Sequence, residues 1–189
     1  MPDTAPDMTL RAADLVARRL YEAGCRHAFG MPGGEVLTIV DALERAGIRF
    51  VLVKHENAGG FMAEGVHHRN GAAVLVATVG PGALNAVNVV ANAHQDRVPM
   101  IVLTGCVDAD EALTYTHQVL DHQAVFREVT KASFRLTADG ADTIADKAVV
   151  TAMEPRQGPV HIDVPIGVAD APAAPVVRRR RGIEAPVQP

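Results

Sequence analysis

Tryptophan is absent from this 189-residue chain, and it holds only two tyrosines and five phenylalanines. The core must therefore be assembled largely from Val, Ala, Leu and Ile, a composition suited to a parallel sheet whose strands are covered on both faces. Cysteine is almost as scarce. Cys25 and Cys106 lie far apart and form no CxxC pair. Two are too few for a disulfide scaffold, so both read as small buried residues in a reducing compartment. No apolar run approaches the roughly 18 to 20 residues that span a bilayer. The opening Met-Pro-Asp-Thr-Ala-Pro-Asp has neither the basic nor the apolar stretch of a signal peptide. These absences predict a cytoplasmic location. A dominant charge is missing too: a net charge of -4 provides no global field to attract nucleic acid or membrane. The one basic run, Arg178 to Arg181, is flanked by prolines without interleaved aromatics, and reads as a solvated linker rather than a nucleic-acid arm.

What is present is a regular alternation of strand-like and helix-like segments from about Thr9 to about Val164. Thr9 can cap a helix that places Leu10, Ala13, Val16, Ala17 and Leu20 on one face and stops at Gly24. His27 to Gly30 forms a short strand cut by Met31-Pro32-Gly33-Gly34, and a helix follows from Glu35 to Ala46. Phe50 to Lys54 is a β-branched run leading into His55-Glu56, and Glu56 to Arg69 reads as helix. Ala72 to Thr78 and Pro99 to Thr104 are apolar enough to be central strands. Gly80-Pro81-Gly82 joins the first of these to a helix reaching about His94. Two further strands, near Ser133 to Leu136 and Val160 to Val164, flank a helix between Asp142 and Met153. This order predicts an α/β fold, a Rossmann-like parallel sheet with helices on both faces. Residues 1–170 are expected to form the domain, and the Ala-, Pro- and Arg-rich residues 171–189 an extended linker leaving it.

Ligands of an open parallel sheet bind beyond the carboxyl ends of its strands. Pro32-Gly33-Gly34, His55-Glu56 and Thr78 to Asn85 all fall there. Glu56 follows an apolar strand and opens a helix, so a carboxyl between a helix N-terminus and apolar surroundings could share a proton with a ligand nitrogen. A first-turn glutamate that only complements the helix dipole is the plainer alternative. Gly80 to Asn85 approximates the glycine pattern of dinucleotide sites but ends in Asn, and a plain tight turn accounts for it equally well. Neither His67-His68 nor His117 with His122 has a spacing that puts two ligands on one helical face, and HExxH and GxSxG are absent, so no metal site or hydrolase is expected.

Six stretches together resemble the N-terminal, pyrimidine-binding domain of the acetolactate synthase and pyruvate oxidase group of thiamine diphosphate enzymes. They are Phe29-Gly-Met-Pro-Gly-Gly34, His55-Glu-Asn57, Ala63-Glu-Gly65, Thr78-Val-Gly-Pro-Gly-Ala-Leu-Asn85, Val98-Pro-Met100 and Gly158-Pro-Val-His-Ile-Asp-Val-Pro165. They occur in order, at family-like spacing, over nearly the whole chain before the linker.

The resemblance implies roles for particular residues. The glutamate matching Glu56 hydrogen-bonds N1′ of the coenzyme's aminopyrimidine, which favours the imino tautomer able to take the thiazolium C2 proton. Pro32 and Gly33 line the pyrimidine pocket, and Thr78, Gly82 and Asn85 belong to the loop beside it. Gln118 matches a glutamine that faces the reaction centre. Acetolactate synthases usually carry Phe before and Glu after it, whereas this chain has His117 and Val119, a departure that bears on which acyl group or acceptor fits. The implied reaction is carboligation or decarboxylation of a small 2-keto acid. Magnesium and the diphosphate are held in such enzymes by a separate C-terminal domain, usually of the partner subunit, and the GDG…N segment that does so is missing here. FAD in the full enzyme is compatible with the resemblance. A half-site inactive by itself is thus expected, at least dimeric, with the Ala- and Gly-rich helices beginning at Glu56 and Gly82 as contact faces. A non-catalytic interaction or regulatory domain that keeps the fold is the alternative.

Overall fold

The computed structural model describes residues 10–70 and 72–176; Thr9 and Arg178 to Arg181 lie outside them. Six strands form one parallel sheet: β1 (His27–Met31), β2 (Arg49–Leu52), β3 (Ala73–Ala77), β4 (Met100–Cys106), β5 (Ala132–Arg135) and β6 (Val160–Pro165), in the order β2-β1-β3-β4-β6-β5. All five pairings are parallel. Every side chain of β3, β4 and β6 is buried, whereas the edge strands β2 and β5 are not fully covered. Unbroken apolar runs such as Ala73-Val-Leu-Val-Ala77 therefore sit at the centre, where each buried Val or Leu contributes about 1.5–3 kcal/mol.

Helices cover both faces. On one side α1 (Ala12–Glu22), α2 (Leu37–Arg45), α6 (Ala141–Met153) and α7 (Ile166–Asp170) enclose a core containing Leu15, Leu20, Ile39, Leu43, Val74 and Ile162. On the other, α3 (Glu56–Asn70), α4 (Pro81–Gln95) and the short α5 (His122–Phe126) enclose Phe29, Leu75, Val89, Val102 and Phe126. The Rossmann-like α/β sheet expected from the alternation is what forms. α3 lies close because its glycines leave room: a Cβ on Gly59 would stand 3.1 Å from Leu75 Cδ1, and one on Gly60 would overlap Val89 of α4.

Several boundaries differ from expectation. α1 begins at Ala12, with the Asp14 carboxylate accepting from the Arg11 N–H at 2.9 Å, and Gly24 ends it at φ +95°. The helix expected from Glu35 is a 3-10 turn over Gly34–Val36 followed by α2, because Val36 takes the non-helical φ -118°, ψ 5°. β2 starts one residue early and stops at Leu52, with Val53 N–H still donating to Gly30 O (2.9 Å) at the end of the ladder. Beyond α7 the backbone returns to the domain: Ala12 N–H donates to Ala171 O (2.9 Å), and Ala173 N–H to Leu10 O (2.8 Å).

Candidate functional site

The strand order turns between β1 and β3, and the residues following those two strands meet there. Gly33 and Glu35 follow β1, and Thr78 follows β3. The Thr78 hydroxyl donates to Glu35 Oε2 at 2.7 Å. A Cβ on Gly33 would overlap Thr78 Oγ1, so only glycine lets these loops approach so closely.

Glu56 opens α3 beside this junction and is 3% exposed. Asn85, in the second turn of α4, donates through Nδ2 to Glu56 Oε2 at 3.2 Å. Oε1 faces Gly82, whose Cβ, if present, would lie 3.3 Å from that oxygen and 2.6 Å from Thr78 Cγ2. The bare Cα of Gly82 thus lets the start of α4 approach this buried side chain closely. Glu56, Thr78, Gly82, Asn85 and Gly33 come together as one constellation, with Pro32 adjoining in sequence.

Gln118 approaches from the loop after β4. It has φ +60°, as does Gly80, and a Cβ on Gly80 would stand 2.7 Å from Gln118 O. Gln118 lines a cleft of about 120 Å³ with Glu35, Val79, Glu111, Tyr115 and Ile166. His117 is exposed and is not among the residues lining that cleft.

Behind the Gly80 turn lies a buried polar network. Gly80 N–H donates to His122 Nε2 (3.0 Å), and His122 Nδ1 lies 2.9 Å from Asp163 Oδ1. Thr104 Oγ1 donates to the same carboxylate oxygen (2.8 Å) and is 2.8 Å from His161 Nε2; Ser133 Oγ is 2.7 Å from His161 Nδ1. Burial works to raise the Asp163 carboxyl, but the hydrogen bonds it accepts, first from His122 and then from Thr104, outweigh that and hold it below the usual carboxylate range. His161, fully buried and stacked on Phe126 with ring centroids 4.4 Å apart, is pushed down to about 4 by desolvation.

Glu35, Thr104, His122, His161 and Asp163 were not singled out from the sequence as site residues. A signal existed for three of them. His161 and Asp163 occupy alternate positions of an apolar strand and so share a face, and Thr104 interrupts another apolar run. Among the described residues, no three His, Cys, Asp or Glu side chains converge as metal ligands, and no helix is long and apolar enough to cross a membrane.

The fold agrees with comparisons to known proteins. Residues 10–125 match the family described as thiamine pyrophosphate enzyme, N-terminal TPP binding domain. The chain is 39% identical over 160 residues to the acetolactate synthase large subunit of Buchnera aphidicola subsp. Acyrthosiphon pisum, covering 82% of this chain and 28% of that protein. The same identity and coverage hold for acetolactate synthase isozyme 3 large subunit of Escherichia coli K12. Against the chloroplastic acetolactate synthase of Arabidopsis thaliana the identity is 37% over 175 residues, 90% of this chain and 26% of the relative. The chain thus spans little more than a quarter of the length of these relatives.

Proposed function

The chain belongs to the thiamine pyrophosphate enzymes through their N-terminal TPP-binding domain, and on that premise we propose that it is the half-site that binds and activates the coenzyme's aminopyrimidine in a 2-keto-acid carboligase or decarboxylase of acetolactate synthase type. The observation that carries this reading is the Glu56 carboxylate, buried, steadied on one oxygen by Asn85 and facing the bare Cα of Gly82 with the other. A ring nitrogen needs such a carboxylate, with no side chain at Gly82 to stand before it.

When bound, the coenzyme supplies the electron sink for the carbanion left by a 2-keto acid. The protein's part is orientation and proton control. Glu56 would hydrogen-bond the N1′ side of the pyrimidine. Asn85 fixes the carboxylate's plane, leaving Oε1 for that contact. Gly33, Pro32 and the Thr78–Gly82 loop form the wall against the ring. Gln118 faces the cleft in which the 2-keto acid and its acceptor would be accommodated, whereas His117, its neighbour in sequence, lies outside that cleft.

Magnesium and the diphosphate belong on a C-terminal diphosphate-binding domain of the same or a partner chain, and any FAD on domains outside this one. The 189 residues alone should therefore turn over nothing. The domain would extend past 170 to include Ala171 and Ala173, which are bonded to Ala12 and Leu10, and the linker toward a central domain would begin after them. Homodimerisation would cover the apolar residues now exposed on α3 and α4, namely Phe61, Met62 and Leu84 (51%, 47% and 45% exposed).

The test is calorimetric titration of thiamine diphosphate and magnesium into the chain mixed with a diphosphate-binding domain from a related enzyme. Binding in the mixture that is lost with Glu56→Gln is the expected result. Undiminished affinity in that variant would sink the assignment.

A further inference from the structure

The hydrogen bonds behind the Gly80 turn have a direction fixed by donor chemistry. A backbone N–H can only donate, so His122 Nε2, 3.0 Å from Gly80 N, must present its lone pair. The ring proton then sits on Nδ1, facing Asp163 Oδ1 at 2.9 Å. Thr104 donates its hydroxyl hydrogen to that same oxygen, so it can only accept from His161 Nε2, which leaves His161 Nδ1 to accept from Ser133. Both imidazoles are neutral, each in one tautomer, and every polar hydrogen of the network has an acceptor. His122, 1% exposed at the start of α5, is the member that reaches the site.

Two elements of the site meet at the N–H it holds. The Gly80 Cα is the surface against which Gln118 is seated: its absent Cβ would stand 2.7 Å from Gln118 O and 3.2 Å from Gln118 Cα. Gly80 has φ 60°, ψ -112°, a positive-φ conformation that glycine adopts readily. His122 holds the N–H of this turn at 3.0 Å, and it follows Gln118 by only four residues. One imidazole therefore fastens the Gln118 segment to the turn that carries Thr78 and Gly82.

We propose that His122 is a positioning residue, whose Nδ1-protonated tautomer, set by Asp163, holds the Gly80 turn and thereby places Gln118 beside the pyrimidine loop. The proposal rests on the coenzyme reading given above, but it can be scored without coenzyme.

The experiment is 15N NMR on the 189-residue chain as wild type, His122→Gln and His122→Leu. The wild type should show His122 Nε2 unprotonated, a scalar coupling across the N–H···N bond to the Gly80 amide, and a nuclear Overhauser contact between Gly80 Hα and Gln118. His122→Gln, whose side-chain oxygen can reach the same N–H, should keep the Gly80 amide protected from exchange and retain the Gln118 contact. His122→Leu should lose about tenfold in Gly80 protection, the equivalent of roughly one net hydrogen bond, together with the Gln118 contact.

A protonated Nε2 in the wild type, or a Gln variant that behaves like the Leu variant, overturns the proposal. So does a Leu variant that loses Gly80 protection while Gln118 stays in place, because His122 would then be structural only. Should the Leu variant not fold, the wild-type tautomer and the Gln variant decide. Thiamine diphosphate titration of the wild-type chain paired with a diphosphate-binding domain is scored separately. A wild type that binds nothing counts against the coenzyme reading, and the spectra still decide the role of His122.

Discussion

Acid should destabilise this fold well before its carboxylates titrate, and His161 is the reason. In the folded chain its imidazole is completely buried and held neutral, with its pKa pushed down to about 4 from an ordinary 6.5, first by desolvation. In the unfolded chain the same group returns to about 6.5. Between those two values the unfolded state binds a proton that the folded state refuses, so stability rises with pH there. The contribution is complete above about pH 6.5 and declines as pH falls toward 4. Below 4 both states are protonated and the slope from this residue ends. The shift of about 2.5 pH units, at 1.36 kcal/mol each, gives about 3 kcal/mol, a sizeable part of a typical domain's 5–15 kcal/mol. Urea unfolding followed by circular dichroism from pH 7.5 to 4.0 measures it. His161→Gln keeps a donor for Thr104 and an acceptor for Ser133 but cannot ionise, so its stability should fall distinctly less over the same range. Equal slopes for the two proteins would refute the argument, as would a flat wild-type profile between pH 6.5 and 4.5.

Other consequences follow from the same contacts. Gly82→Ala would place a Cβ 2.6 Å from Thr78 Cγ2 and 3.3 Å from Glu56 Oε1, so it should cost about 1–3 kcal/mol by overpacking and weaken coenzyme binding further, as melting curves and calorimetry would register. Burial pushes the Cys25 thiol up to about 11 and the Cys106 thiol higher still. Neither should react with a disulfide reagent at pH 8 until the chain is unfolded, and fast labelling of the native protein would contradict the burial assigned to both. Phe61→Lys with Leu84→Lys, both at exposed positions, should shift sedimentation toward the monomer while leaving the melting temperature within a few degrees.

The sheet was legible because its central strands announce themselves. Ala73 to Ala77 are all apolar and all buried, and the Gly-rich turn around Gly80 separates β3 from α4 where expected. Glu56 was legible as well, from its position at a strand-to-helix turn. The shorter elements were not. α5 has five residues and α7 five, too few for a helical period to show. The buried network escaped because its members are scattered over β4, α5, β5 and β6, and none is unusual alone. His122 looks like a loop histidine until its neighbours are known. Glu35 looks like the start of a helix, since nothing local reveals that Val36 breaks the turn and leaves the carboxylate facing Thr78.

The start of α4 also bears on the competing dinucleotide reading. A phosphate bound at a helix N-terminus needs free backbone N–H groups pointing at it. Here Gly80 gives its N–H to His122. Pro81 has none to give. The Gly82 N–H turns back to Val79 O at 3.4 Å. Two donors of the turn are engaged and a third is missing, so a glycine pattern that suggests a phosphate cradle instead forms a closed corner. Its glycines serve close approach, Gly80 to Gln118 and Gly82 to Glu56. A corner that sets a buried carboxyl against a bare Cα, and whose three positions offer no donor to a phosphate, is consistent with the pyrimidine reading proposed above. The diphosphate would then have to be held by another domain, which is why the activity sought in this chain should be tested only with that domain present.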